Sequence, residues 1–316
     1  MRPSDDNLVG RILGSYELTE LLGEGRIGVV YLARHVSIGR RAAVKVLHPG
    51  LSSRHAVVQR FFDEARAANL VHHPGIVDVY DDGQAAGVGA YIVMEYLQGE
   101  TLRARLARDG AMGAQQVARL VMRIAAPLAA AHAAGIVHRD LKPDNVFLVP
   151  GPDHAGEEQV KVLDFGVAKL SEELSGGAVR SRTGTVLGTP LYRSPEQRHG
   201  SRAVDARADQ YALGVIAYEL LCGRPPFLAG ELGEVAAMHL HAPPPLLRSF
   251  NERVPAAVEA VVTRALDKDP NRRWGRIDEM AMTLRGAALV SSEEPAAAPS
   301  APLGSSGRSR RARRRR

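Results

Sequence analysis

The spacing of apolar and polar positions changes character about a third of the way along the chain. Before that point, short runs rich in β-branched and aromatic residues recur at 16–22, 29–34 (V-V-Y-L-A-R), 42–47 (A-A-V-K-V-L), 76–80 and 90–94. Runs of this kind, bounded by glycine and polar residues, predict strands. One helical pattern interrupts them over 54–70, where Val57, Phe61, Ala65 and Ala68 recur at spacings of three and four and mark an inward face. Further on, Val117, Leu120, Val121, Ile124, Leu128 and Ala131 form a helical stripe. Pro127 lies within it and lacks the N–H of a regular turn, so a kink is predicted. V-F-L-V and V-K-V-L then read as a two-stranded hairpin joined by a polar excursion over 150–159. Residues 209–221 are apolar nearly all round, which predicts a buried helix, and C-G-R-P-P-F ends it with Gly and two prolines. Residues 256–266 and 277–285 read as the last helices. The first 14 residues read as a loosely held leader.

Composition narrows the class. The chain has 316 residues, 45% of them apolar, as in an ordinary soluble globular protein. No uninterrupted apolar run approaches the roughly 18 residues of a membrane span. The N-terminal M-R-P-S-D-D-N has acids where a signal peptide has an apolar stretch. Cys222 is the single cysteine, so no intrachain disulfide can form, which fits a reducing cytoplasm. The net charge of +6 is misleading, because Arg308, Arg310, Arg311 and Arg313 to Arg316 supply seven positive charges. From Ser291 the chain turns to Ala, Pro, Ser and Gly and then to these arginines, a composition that predicts disorder. Such a tail offers a surface for anionic lipid or nucleic acid, or is simply solvated.

Candidate chemistry sits in five places. Gly23, Gly25 and Gly28 have G-x-G-x-x-G spacing, but a strand follows them instead of the helix of a dinucleotide fold. Lys45 lies in an apolar strand, where its charge is costly unless paired, and Glu64 adjoins the inward face of the next helix as its natural partner. His138 to Asn145 reads H-R-D-L-K-P-D-N. Within it Asp140 can accept a proton or orient a hydroxyl, Lys142 can neutralise a transferred phosphoryl group, and Asn145 offers an oxygen to a metal. Pro143 restricts Lys142. Asp164-Phe165-Gly166 follows the second hairpin strand, and G-T-P-L-Y-R-S-P-E runs from Gly188 to Glu196.

Together these motifs, over about 16–285, resemble the protein kinases, and in particular the eukaryotic-like (Hanks-type) serine/threonine kinases in a bacterial flavour. The resemblance implies an α+β, bilobal fold: a β-rich N-lobe with one helix and hinge (15–97) and a larger, mainly helical C-lobe (98–290), between the leader (1–14) and the tail (291–316). It implies transfer of the γ-phosphoryl of ATP to protein Ser/Thr hydroxyls, with Mg²⁺ or alternatively Mn²⁺, in the cytoplasm. Asp140, Lys142, Lys45 and Glu64 would be catalytic. ATP would lie against Leu22, Gly23, Glu24, Gly25, Arg26, Ile27, Gly28, Val29, Val30, Ala43, Lys45, Met94, Glu95, Leu97 and Phe147. Arg26 and Ile27 depart from the small and aromatic residues common at the loop tip. Asn145 and Asp164 would hold the metal. Thr189 would position the substrate hydroxyl, and Arg139, Glu196, Asp209 and Arg273 would be structural. Asp209 would both cap its helix and anchor the catalytic loop, and Arg273 would pair with Glu196. Thr183, with Thr185 and Ser181 next, is the expected activating phosphosite, with self-association for autophosphorylation in trans. A pseudokinase scaffold would need a broken motif, and Lys45, Glu64, Asp140, Asn145 and Asp164 are all present. A kinase-like small-molecule phosphotransferase would lack the segment ending in S-P-E.

Overall fold

The N-terminal strands pair into one antiparallel sheet. The computed structural model describes residues 8–25, 27–151, 158–165, 190–198 and 204–290, apart from the side chains of Glu64 and Pro190. Strands β1 (Ile12–Leu13), β2 (Tyr16–Glu24), β3 (Gly28–His35), β4 (Arg41–Leu47), β5 (Val79–Ala85) and β6 (Gly89–Glu95) lie in the order β1-β2-β3-β4-β6-β5. Helices α1 (Pro49–Ser52) and α2 (His55–Leu70) interrupt them. Because side chains alternate along a strand, Leu18, Tyr31, Ala33, Val44, Val46 and Val93 build one buried cluster. Leu47 and Ile92 build another with Val57, Val58, Phe61, Phe62 and Ala65 of α2. Phe61 is fully buried there, a burial that contributes about 1.5–3 kcal/mol.

Two expectations need correction here. The reading of residues 1–14 as a loose leader does not hold for 8–14. Leu13 is 1% exposed, β1 pairs with β2, and Gly10 N–H donates to the Leu18 carbonyl at 2.7 Å. A two-residue strand is too short for alternation to reveal it. The strand expected at 76–80 lies at Val79–Ala85 instead. Ile76 and Val77 are buried, and Ile76 forms only an isolated parallel bridge to Val162. The true strand, V-Y-D-D-G-Q-A, is a sheet edge with acids turned to solvent, so it lacks the apolar run that marks central strands.

The second region begins with β7 (Glu100–Thr101), α3 (Leu102–Asp109) and α4 (Ala114–Ala133). Strands β8 (Val146–Val149) and β9 (Gln159–Val162) follow and complete a three-stranded sheet ordered β7-β8-β9. Then come α5 (Pro195–Arg198), α6 (Arg207–Cys222), α7 (Leu232–His241), α8 (Ala256–Ala265) and α9 (Ile277–Val290). Every residue of α6 from Ala208 to Leu221 is buried, and α4, α8 and α9 pack against it. Gly223 closes α6 with φ of 72°, a left-handed conformation that a side chain would strain. Pro127 is buried inside α4, which continues past it to Ala133. Helix α9 runs beyond the expected end at 285 to Val290, and its last two residues are exposed, so no apolar spacing marked them.

Candidate active site

The loop H-R-D-L-K-P-D-N hangs from the first turn of α6. The backbone N–H groups of His138 and Arg139 donate to the two carboxylate oxygens of Asp209 at 2.8 and 2.7 Å, and Asp209 is 1% exposed. His132 Nε2 lies 2.8 Å from the same carboxylate. From the other side Gln197 Nε2 donates to the Arg139 carbonyl at 2.7 Å. Arg139 has φ of 66°, a conformation unfavourable for a residue with Cβ, and these bonds over-determine it. The expectation that Asp209 also caps α6 is wrong: the N-cap is Ala206, without a side-chain cap, because the Asp209 oxygens face the catalytic loop.

His138 is completely buried and fixes the loop against Asp164-Phe165. Its Nδ1 accepts from Asp140 N–H at 3.3 Å, so Nε2 carries the proton donated to the Leu163 carbonyl at 2.8 Å. Its ring packs on Phe165 with centroids 4.8 Å apart. Asp140 and Lys142 pair at 2.7 Å and both remain partly exposed. Asn145 donates from Nδ2 to the Asp140 carbonyl at 2.8 Å, which leaves Oδ1 as the acceptor end of the amide. Pairing of Val146 with Val162, and Leu163 N–H on the Asn145 carbonyl at 2.9 Å, set Asn145 beside the approach to Asp164.

Lys45 reaches Asp164 Oδ1 at 2.8 Å. Burial pushes the Asp164 pKa up, but the Lys45 charge and hydrogen bond, with the charge of Lys142, outweigh it and hold the group below the usual carboxylate range. Asp164 is therefore an anion with φ of 57°. Glu64 lies on α2, and its side chain is outside the described residues. Among the described residues no group of three His, Cys, Asp or Glu is arranged for a metal. A two-residue oxygen set from Asn145 and Asp164 nevertheless fits a hard divalent cation that takes its other ligands from phosphates and water.

Above the loop, a cleft of about 660 Å³ separates the two regions. Of the expected contacts, Leu22, Gly23, Val30, Ala43, Lys45, Met94, Glu95, Leu97 and Phe147 line it. Tyr96 and Gln98, which belong with Glu95 and Leu97 to the hinge expected to meet the base, line it as well, as do Val77, Gly99, Thr101 and Leu163, which no motif pointed to. Glu24, Gly25, Ile27, Gly28 and Val29 do not line it. Val29 follows the opposite face of β3 from Val30 and packs on the outer cluster. Ile27 is buried with residues of α2. Gly28 is required by the sheet itself, since a Cβ there would lie 2.1 Å from the Val46 carbonyl oxygen. Arg26 lies outside the described residues, as do Gly166, Ser181, Thr183, Thr185, Thr189 and residues 291–316.

Three polar constructions support this site. Arg273, 2% exposed, grips Glu196 with two bonds of 2.7 and 2.9 Å and also donates to the Arg207 carbonyl at 2.9 Å. Burial raises the Glu196 pKa, and the bonds and charge of Arg273 more than reverse it. Two further groups were not foreseen. Arg103 and the Tyr192 hydroxyl both hydrogen-bond Glu219 of α6 and each other, and Arg103 Nε lies 3.5 Å from Asp144 of the catalytic loop. Buried Lys161 pairs with Glu95 at 2.6 Å and donates to the Ile76 carbonyl at 3.3 Å, tying β9 to the end of β6. A lysine in an otherwise apolar strand was the available signal for Lys161, as it was for Lys45.

The protein kinase domain model matches residues 16–284. The chain belongs to the protein kinase family. It is 47% identical over 274 residues to the serine/threonine-protein kinase Pkn1 of Myxococcus xanthus, which covers 87% of this chain and 38% of that protein. It is 39% identical over 287 residues to the serine/threonine-protein kinase PknB of Mycobacterium leprae, covering 90% and 44%. The crystal structure of the Mycobacterium tuberculosis PknI kinase domain superimposes with a TM-score of 0.69 at 29% identity, over 89% of this chain and 98% of that one. These relatives place this kinase among the bacterial Hanks-type serine/threonine kinases, and the chain spans less than half the length of Pkn1 and PknB. Among the described residues no helix is long and apolar enough to cross a membrane.

Proposed function

We propose that this kinase transfers the γ-phosphoryl of ATP to serine and threonine hydroxyls of proteins. The observation that carries the reading is the convergence of Asp140, Lys142 and Asn145, on one loop fixed by Asp209, with Lys45 and Asp164 at the floor of the cleft. Little covalent chemistry is asked of the protein in such a transfer; positioning and charge neutralisation do most of it. Asp140 orients the acceptor hydroxyl and takes its proton. Lys142, 2.7 Å from Asp140, is placed to neutralise charge on the phosphoryl group in flight, and Lys45 holds the remaining phosphates. Asn145 and Asp164 would hold Mg²⁺, or Mn²⁺ in its place, which when bound neutralises phosphate charge. Val30 and Ala43 cover the base, Phe147 lies beneath it, and Met94 guards the space behind. Glu64 sets the orientation of Lys45.

The substrates are other proteins and, by self-association, other copies of this chain, which phosphorylate one another at Thr183, Thr185 or Ser181 in the cytoplasm. A phosphate there adds about −1.5 to −2 charges, which an arginine such as Arg139 grips with charge-assisted bonds. Thr189 positions the acceptor hydroxyl, and the arginine tail contacts anionic lipid or nucleic acid. The test is incubation with labelled ATP, Mg²⁺ and a generic protein acceptor, followed by phosphosite mapping. Label on acceptor serine or threonine and within residues 181–185 is the expected result. Absence of all transfer from a folded, ATP-binding protein would overturn the reading.

A further inference from the structure

The glycine loop is fastened at Gly25 and at Ile27. The β3–β4 ladder continues one step past the strands, with His48 N–H on the Ile27 carbonyl at 2.9 Å. The His48 imidazole then reaches back, and its Nε2 lies 2.8 Å from the Gly25 carbonyl oxygen, a bond in which the nitrogen donates. Gly25 N–H is itself bonded to the Gly28 carbonyl at 2.9 Å, closing the turn. His48 does not swing freely. Its own carbonyl accepts from Leu51 and Ser52 N–H at 2.9 and 3.1 Å, so α1 holds its backbone in place. The Ile27 side chain, 9% exposed, is buried in the cluster that contains Val57, Val58 and Phe61 of α2.

We infer that His48 is a positioning residue for nucleotide binding: with Ile27 it keys the glycine loop to α2, so that the loop and the helix carrying Glu64 move as one unit. The inference rests on the proposed use of the cleft for ATP. A loop held by one side-chain bond, one ladder bond and one buried apolar anchor enters binding with less freedom to lose. His48 lines neither the cleft nor the catalytic loop, so its removal should weaken ATP binding without touching the chemistry.

The test uses the full chain and a fluorescent ATP analogue with Mg²⁺, read by equilibrium binding, alongside kcat and KM for ATP. His48→Ala should raise the Kd and the KM about 3- to 10-fold, the worth of one net hydrogen bond, with kcat within twofold of the parent. His48→Gln, whose amide can donate over a similar reach, should recover most of the binding. Ile27→Ala should also weaken binding, and its effect should be less than additive with His48→Ala because both release the same loop. Unchanged or tighter binding in His48→Ala would overturn the inference, as would a His48→Gln variant no better than His48→Ala. A parent that fails to bind the analogue at all would instead count against the ATP reading of the cleft.

Discussion

The catalytic loop and the floor beneath it use the same kinds of side chain in opposite ways. Asp140 and Lys142 are two residues apart, 22% and 26% exposed, and bond to each other. Asp209, Glu196 and Arg273 lie lower, with side chains 1%, 13% and 0% exposed; the bonds of Asp209 to His138 and Arg139 and the Arg273–Glu196 pair join residues 70 to 77 apart in sequence. A half-solvated pair such as Asp140–Lys142 contributes on the order of 0–1 kcal/mol to stability. A desolvated, fully bonded group is different: removing one partner strands a buried charge or donor, at a cost of about 3–5 kcal/mol. The difference teaches a division of labour. Under the proposed function, the groups that meet a substrate are kept partly solvated, local and cheap to change, and the groups that aim them are dry, remote in sequence and costly to change.

The largest expected effect tests the upper half of that division. Asp140→Asn should lower phosphoryl transfer by about 10²–10⁴-fold, the usual worth of a positioned acid–base group. Its urea midpoint should stay close to that of the parent, since no buried partner is left stranded. Next in size is Asp209→Ala, which leaves the N–H groups of His138 and Arg139 without their acceptor and releases the φ of 66° at Arg139. A loss of about 3 kcal/mol is expected, read as a lower urea midpoint at unchanged slope, together with loss of activity. Equal stability losses in the two variants would erase the distinction between the regions.

The same division explains what could be read from the sequence. Local chemistry was legible because it is written contiguously: H-R-D-L-K-P-D-N places Asp140, Lys142 and Asn145 within six residues, and Lys45 stood out as a lone charge in an apolar strand. The anchors were reached through resemblance, as with the Arg273–Glu196 pair, because nothing in R-R-W-G points to a residue 77 positions earlier. Where neither contiguity nor resemblance helped, the reading missed. Glu219 sits in the apolar second half of its helix, and its bonds to Arg103 and Tyr192 join three separate segments. The edge strand β5 and the two-residue β1 escaped because one is polar and the other too short. Ile27 and Val29 were assigned to the cleft from the glycine motif alone, whereas the two-residue period of β3 and the α2 cluster send them elsewhere.

The smallest expected effect lies deepest. His239 of α7 is completely buried, with Nδ1 2.8 Å from the Tyr211 hydroxyl of α6 and its ring against Phe227. Burial first, then the nearby charges of Arg198 and Lys268, push its pKa down to about 3. The fold thus holds the imidazole neutral, whereas the unfolded chain takes up a proton below about pH 6.5. Because the unfolded state binds more protons there, stability must fall as pH falls from about 6.5 towards 3. At pH 5 this one group should remove about 2 kcal/mol relative to neutral pH. Carboxylates held low, such as Glu196 and Asp164, respond only at more acid pH, because their folded-state stabilisation persists above the ordinary carboxylate range. His239→Gln cannot titrate, so although its stability at pH 7.5 will be lower, its further loss between pH 7.5 and 5 should be smaller than the parent's by roughly that 2 kcal/mol. Urea melts of both proteins at the two pH values decide the matter, and parallel losses would mean that the buried histidine takes up its proton without opposing the fold.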